Sequence, residues 1–297
     1  MRSKKIDWQL LLILSPGVIW LFMFCYIPMN GLRMAFYNYN AFAGFKGSIF
    51  IGFENFIRLF SGQDFPRAVK NTLVIGFLQL LISFPFAIFL ALLITEMRSK
   101  WLPKIAQTVT FLPYFVSTVV AVSIAISFLS PSTGVINLIL NKLGFESIYF
   151  IVEPKYFRAT YIILAIWKSA GFNAVIYIAA LMGIDPTFYE CADVEGASRL
   201  QRIRYITLPS ISHTVSIMLI LQLGNIIKVG YETILLLYQP STYSVADVIS
   251  TYTYRLGMVQ NNFGLATAAG LFESVVSLLL IVMANKISRK MSTTSVW

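Results

Sequence analysis

The amino-acid sequence predicts an all-α polytopic membrane protein with six transmembrane helices. Three observations carry the prediction. Of 297 residues 57% are hydrophobic and only 12% charged, and mean hydropathy is +0.73, whereas soluble domains carry about a quarter charged residues. Apolar runs of spanning length recur along the chain. Basic residues concentrate in alternate connecting segments, as topology demands of a membrane protein.

The first run, residues 10–28, follows the basic opening MRSKK. No small-x-small cleavage pattern comes after it, so it is expected to stay as the first span. Further runs lie at 72–95, 107–129, 156–184, 211–231 and 264–285. At about 1.5 Å per residue each covers a hydrocarbon core of roughly 30 Å. No repeat, low-complexity tract or long polar linker divides the chain, so 1–297 is expected to form a single transmembrane domain.

Six spans put both termini on one side. The N-terminus, 96–106, 185–210 and the C-terminus hold three Lys or Arg each, while the longer opposite segments 31–71, 131–158 and 232–263 hold five, three and one. The first side is therefore expected to be cytoplasmic, with both termini there, in a multi-pass protein of the cell (inner) membrane. Pro16, Pro28, Pro85 and Pro113 fall within or at the ends of spans, where neighbouring helices can satisfy the freed backbone groups. In the outer segment 41–71, Phe53, Phe56, Ile57 and Phe60 follow helical spacing, which predicts an amphipathic helix lying at the outer face.

A net charge of +10 raises nucleic acid, but no basic stripe interleaves with aromatics, so nucleic acid is not an expected partner. Cys25 lies in an apolar run and Cys191 in a charged loop, giving no disulfide framework or metal set. His213 lacks a nearby His, Cys or carboxylate in sequence and is expected to be structural.

Residues 185–210 read DPTFYECADVEGASRLQRIRYITLPS. Asp185 can cap a helix begun by Pro186, Gly196 can end it, and Ala197 or Ser198 can start a second helix running to Pro209. An ordinary interfacial loop has the same composition. The spacing of Glu190, Ala192, Gly196, Ile206 and Leu208-Pro209, however, resembles the EAA signature of binding-protein-dependent ABC importer permeases. The family has Ala where Cys191 stands. IGFENFIRLF and the following NTL at 51–73 look like an outer-helix motif of the carbohydrate-uptake branch. PSTYSVADVISTYTYRLGM at 240–258 is similar to the fifth outer loop of the LplB-type oligosaccharide permeases.

The resemblance implies a type I ABC importer permease fold in which 185–210 is a cytoplasmic coupling helix docked on an ATPase. Glu190, Cys191, Ala192, Glu195, Gly196, Ala197, Arg199, Leu208 and Pro209 are its candidate coupling residues. Small residues there allow close approach, and Arg199, Arg202 and Arg204 offer charged rim contacts. No GxxxxGK[ST] loop occurs in this chain, so ATP and Mg²⁺ are expected on a partner ATPase and no cofactor or catalytic group here. The implied partners are a second homologous permease, two ATPase subunits, an extracytoplasmic sugar-binding protein, an oligosaccharide and membrane lipid.

Polar residues within spans are candidates for the substrate path, since a polar group at bilayer depth must face protein or water. These are Lys168, Ser169 and Asn173 on the fourth span and Gln222, Asn225 and Lys228 on the fifth, with Tyr114 and Trp167 as rings on which a sugar could stack. Asn225 and Lys228 can share one helical face, and Lys228 and Glu232 read as an outer-edge ion pair rather than as direct sugar contacts. Lys168 lies about 12 residues, roughly 18 Å, into its span. It reads either as a lysine paired with Glu273 or a carbonyl, or as a counter-ion for an acidic, uronate-containing sugar. Two other classes compete: an enzyme acting on lipid-linked sugars, which needs clustered acid/base groups, and a secondary carrier, which needs repeated halves and an acidic relay. The sequence offers neither pattern.

Overall fold

The computed structural model describes residues 8–291, and the side chains of all of these except Ala284 and 287–291. Arg2, Lys4 and Lys5, on which the sequence places part of the cytoplasmic charge, lie outside the described residues. Among the described residues four helices are each long and apolar enough to cross a membrane: α1 (Trp8–Phe36), α3 (Asp64–Thr95), α7 (Pro154–Met182) and the stretch Phe263–Met283 of the last helix. Two bent pairs bring the crossings to six when each pair is one span.

By contacts the chain divides into two units, 1–63 with 253–272, and 64–252 with 273–297. In the first unit α1 passes from α-helix through a π turn at Phe22–Tyr26 into a 3-10 stretch at Ile27–Phe36 that begins with Pro28 near its start. A two-stranded antiparallel hairpin follows, β1 (Tyr37–Asn38) and β2 (Ile49–Phe50), with Tyr37 opposite Phe50. The expected amphipathic helix is α2 (Glu54–Ser61). Asn55 and Leu59 point inward, while Phe53, Ile57 and Phe60 stay exposed, as the apolar face of a helix lying at a membrane surface does. Asn55 is buried because its amide donates to the carbonyls of Ala35 (2.9 Å) and Tyr37 (3.1 Å), closing the end of α1 that a turn into a strand leaves unpaired.

In the second unit α3 and α7 pack along their length. One apolar cluster joins Ile75 of α3 to Phe157, Tyr161 and Leu164 of α7, with Ala121 and Val122 of α5 (Thr118–Leu129) and Ile234 and Leu237 of α11 (Tyr231–Leu237). A second cluster joins Ala87, Ala91 and Ile94 to Ala174, Tyr177, Ile178 and Ile211. In the second cluster Ala87, Ala91 and Ala174 let the two backbones approach closely.

The sequence expects 107–129 to be one span; the structure breaks it. Helix α4 (Leu102–Phe111) runs into a 3-10 turn at Leu112–Phe115, Val116 and Ser117 are extended, and α5 leaves at 103°. Pro113 removes a helical donor at the turn, and Ser117 caps α5 by accepting the Val120 amide at 3.3 Å. The expected fifth span, 211–231, is likewise shorter. Helix α9 (Arg199–Ser210) bends by 64° into α10 (Ser212–Gly224), which stops at Gly224. Residues 225–230 form turns before α11 begins. Short helices that the sequence left as loop are α6 (Val135–Lys142), α11 and α12 (Ile249–Tyr254). The last helix, α13, is Phe263–Met291.

Candidate functional site

Residues 185–210 fold as the predicted helix–turn–helix. Asp185 accepts the Thr187 amide at 2.9 Å and so covers an unpaired donor in the first turn of α8 (Thr187–Val194). That hydrogen bond holds its carboxyl below the usual carboxylate range. At the other end Gly196 has φ +72°. Its amide bonds the Asp193 carbonyl (3.1 Å) and the Ala197 amide bonds that of Ala192 (2.9 Å), a Schellman closure that needs a left-handed residue and brings Ala192 against Ala197. Ser198 then starts α9 through a capping box, its amide donating to Gln201 Oε1 at 2.7 Å and its hydroxyl accepting the Gln201 amide at 3.4 Å.

Two side-chain bonds clasp the two helices. Arg202 pairs with Asp193 at 2.5 Å, and the Tyr189 and Thr207 hydroxyls meet at 3.0 Å. Arg202 is thus an internal staple rather than the rim contact expected of it. Arg199, Glu190, Cys191 and Glu195 are exposed, and Ala192 and Ala197 partly so. Leu208 and Pro209 lie in the last turn of α9, directly before the bend at buried Ile211. Sequence reasoning missed the apolar surface of this knob: Phe188, Val194, Leu200 and Tyr205 are exposed, Val194 by 90%. Their spacing carries no signal, because an exposed apolar residue and a buried one look alike in a sequence.

Between the two apolar clusters of the second unit lies a polar layer. Ser169 and Asn173 of α7 line it with Gln222 of α10, and with Gln79 and Ser83 of α3, which sequence reasoning overlooked. The layer encloses about 20 Å³, room for about one water. Ser83 Oγ is buried there without a partner among the described residues. Gln79 Oε1 accepts from the Tyr161 hydroxyl at 3.3 Å, and that hydroxyl accepts the Gly230 amide at 3.1 Å. A hydrogen-bonded chain therefore runs from the unwound segment 225–230 to the polar layer.

Three expectations change. Asn225 and Lys228 do not share a helical face, because the helix ends at Gly224; both are exposed on the unwound segment. Lys228 and Glu232 form no ion pair among the described residues. Among the described residues Lys168 pairs with neither Glu273 nor a carbonyl: its ammonium donates to Thr118 Oγ1 at 2.6 Å, at the start of α5. Trp167 faces away from the polar layer and lines an apolar groove of about 450 Å³ with Ile124, Phe128 and Ile163. Tyr114 stacks on Phe172 of α7 with ring centroids 3.9 Å apart and planes 5° off parallel. The Gly171 backbone makes this possible, since a Cβ there would strike the Thr110 carbonyl of α4.

The chain is similar over almost its full length to two permeases of Bacillus subtilis (strain 168). It is 38% identical to the polygalacturonan/rhamnogalacturonan transport system permease protein YteP over 97% of this chain and 90% of that protein. It is 39% identical to Protein LplB over 98% and 91%. Among solved structures it matches a permease chain of a bacterial alginate ABC transporter, described as importing an acidic polysaccharide, with 47% identity, TM-score 0.90 and 96% of each chain covered. The same TM-score rises to 0.91, over 98% and 97%, for that transporter in complex with an alginate pentasaccharide-bound periplasmic protein. The fold is that of a type I ABC importer permease. Residues 64–293 match the binding-protein-dependent transport system inner membrane component family, and the chain belongs to it.

Proposed function

We propose that this chain is a permease subunit of an ATP-driven importer that takes up acidic oligosaccharides delivered by an extracytoplasmic binding protein. The helix–turn–helix at 185–210 carries the reading. Its Schellman turn, capping box and Asp193–Arg202 staple make a rigid projection outside the apolar bundle, and rigidity is what a lever between two machines requires. Support for the substrate comes from YteP, whose name states polygalacturonan and rhamnogalacturonan transport, and from the alginate complex.

In this reading 185–210 faces the cytoplasm, with both chain termini on the same side. Glu190, Cys191, Ala192, Glu195, Gly196, Ala197, Arg199, Leu208 and Pro209 form the projection and its root on α10. Two ATPase subunits grip this projection and its counterpart on a second homologous permease, and those subunits bind ATP and Mg²⁺. The present chain performs no chemistry on either. Sugar passes along Ser169, Asn173 and Gln222 with Tyr114 and Lys168 nearby, while Asn225 and Lys228 lie on the unwound stretch that borders the path. Broken helices at membrane depth are the expected framework for such a path, because non-helical backbone is tolerated there where protein or water satisfies it. Trp167 and its groove face lipid or a partner.

Co-expression with candidate ATPase subunits, detergent solubilisation and affinity capture test the reading. A nucleotide-hydrolysing subunit is expected to remain bound to the wild-type chain and to dissociate from Gly196→Val, whose β-branched residue opposes the left-handed turn. Capture of no such subunit by the wild-type chain, or sugar uptake by the purified single chain, contradicts the proposal.

A further inference from the structure

Lys168 is a charged group deep within a span, and its ammonium is hydrogen-bonded to a neutral hydroxyl. Its ammonium lies 2.6 Å from Thr118 Oγ1, and among the described residues no carboxylate forms an ion pair with it. Thr118 is the first residue of α5, a helix of 12 residues. The start of a helix carries partial positive charge, so a cation placed there is disfavoured unless an anion joins it. A lysine held in that position is poised for negative charge that the chain itself does not supply.

A second, independent feature lies beside it. Phe172 follows Lys168 by four residues on α7 and so shares its face. Its ring is stacked on Tyr114, 3.9 Å between centroids, and Phe111 packs against Phe172 at 5.8 Å. Tyr114 is 41% and Phe172 37% exposed, so the stack keeps an open edge. Because a lysine at this depth must face water or protein and not lipid, the face it shares with Phe172 is turned to the same surroundings. A flat aromatic surface suits the apolar C–H face of a pyranose, and an ammonium suits a carboxylate. A uronate unit presents both groups on one ring.

We infer that Lys168, with the Tyr114–Phe172 pair, forms a subsite that reads the carboxylate of one uronate unit as it passes the break between α4 and α5. This rests on the acidic-oligosaccharide reading above and adds the residue that discriminates charge. When the anion arrives, the ammonium exchanges or shares its bond to Thr118, and the hydroxyl remains to receive a sugar oxygen. Gln222, Asn173 and Ser169 then see hydroxyl groups common to neutral and acidic sugars, so they do not select between them.

The test uses the complete transporter in proteoliposomes, with its partner permease, ATPase subunits and binding protein. The probes are an alginate pentasaccharide and the same pentasaccharide with its carboxyls reduced to alcohols, each loaded on the binding protein. Losing one charge-assisted hydrogen bond predicts that Lys168→Met lowers uptake of the acidic probe about tenfold or more. Lys168→Arg is expected to keep uptake within about twofold, Lys168→Glu to fall below Met, and the reduced probe to be unaffected by all three. Phe172→Ala is expected to lower both probes alike, since a ring face does not read charge. The Arg, Met, Glu order on the acidic probe decides the matter even if the binding protein declines the reduced one. Equal loss of both probes in Lys168→Met, loss in Lys168→Arg as well, or undiminished uptake in Lys168→Met overturns the role of Lys168 alone. Failure of the wild-type complex to take up the acidic probe overturns the acidic-sugar reading, and this subsite with it.

Discussion

The hydroxyl of Tyr161 accepts the backbone amide of Gly230 at 3.1 Å and donates to Gln79 Oε1 at 3.3 Å. Tyr161 is 2% exposed, and both bonds are partly shielded from solvent. One phenol thereby ties α7 to the unwound segment between α10 and α11 and to the polar layer beside α3. Tyr161→Phe keeps the ring and its packing but removes both bonds, each worth about 0.5–1.5 kcal/mol. The purified complex should unfold at a temperature several degrees lower, with substrate uptake reduced more than ATPase subunit binding. An unchanged unfolding temperature together with unchanged uptake contradicts a tethering role for Tyr161.

What the sequence made legible follows from how locally each feature is encoded. Helix existence was readable, because a span is an apolar run and the signal sits in the run itself. The knob at 185–210 was readable for the same reason: Asp185, Gly196, Ser198 and Gln201 act on their own neighbours within five residues. The breaks were not. Pro113 and Ser117 are compatible with a kinked but continuous span, and around the end of α10 Gly224 lies against Ile281 and Ile226 against Gly76 of α3, approaches between distant residues that a one-dimensional pattern does not carry. Lys168 stands in mid-helix as expected, but its contact with Thr118 was not legible, since Thr118 is 50 positions away. The same limit concealed Gln79 and Ser83, whose face of α3 is defined only once α7 and α10 close on it.

Val194 at the end of α8 is 90% exposed, and Leu200, across the Gly196 turn, 75%. Both stand on the outside of a rigid turn, where isolated apolar groups gain nothing from folding. If the knob docks into a groove, these residues supply apolar contact, and burial of such an anchor stabilises association by about 1–3 kcal/mol. Val194→Asp should therefore release most of the bound ATPase subunit in a detergent pull-down, while membrane insertion and the unfolding temperature of the bundle stay unchanged. Full retention of the ATPase subunit argues that the docking surface lies elsewhere on the loop.

The Asp193–Arg202 pair joins the two helices of the same knob at 2.5 Å, with Asp193 61% and Arg202 23% exposed at the side chain. An ion pair this open to solvent contributes about 0.2–1 kcal/mol and is screened by salt. Its worth to stability is small, but it fixes the angle between α8 and α9. Arg202→Ala and Asp193→Ala are each expected to lower transport coupling, measured as sugar moved per ATP hydrolysed. The charge-swapped double variant Asp193→Arg with Arg202→Asp should recover part of it. Coupling that is lost in the swap as severely as in the single variants shows that Arg202 acts through a partner protein and not through Asp193.

Asp185 supplies a pH dependence with a defined sign. Its carboxylate accepts the Thr187 amide at 2.9 Å, and this bond lowers its pKa below that of the same group in an unfolded chain. A group depressed in the folded state contributes stability that is fully present above the unfolded-state pKa and is lost as pH falls through the folded value. The effect is local, because the carboxylate is open to solvent and holds one end of one short helix. Amide hydrogen exchange at Thr187 and the following turn of α8, corrected for the intrinsic rate, should therefore speed up as the medium is acidified below the usual carboxylate range, with α3 and α7 unchanged. In Asp185→Asn the side-chain oxygen still accepts the amide but does not titrate, so the acid-side increase should vanish while protection at neutral pH is partly kept. Equal acid-side increases in the wild-type and Asn proteins mean that another group controls the start of α8, and that Asp185 is not its cap.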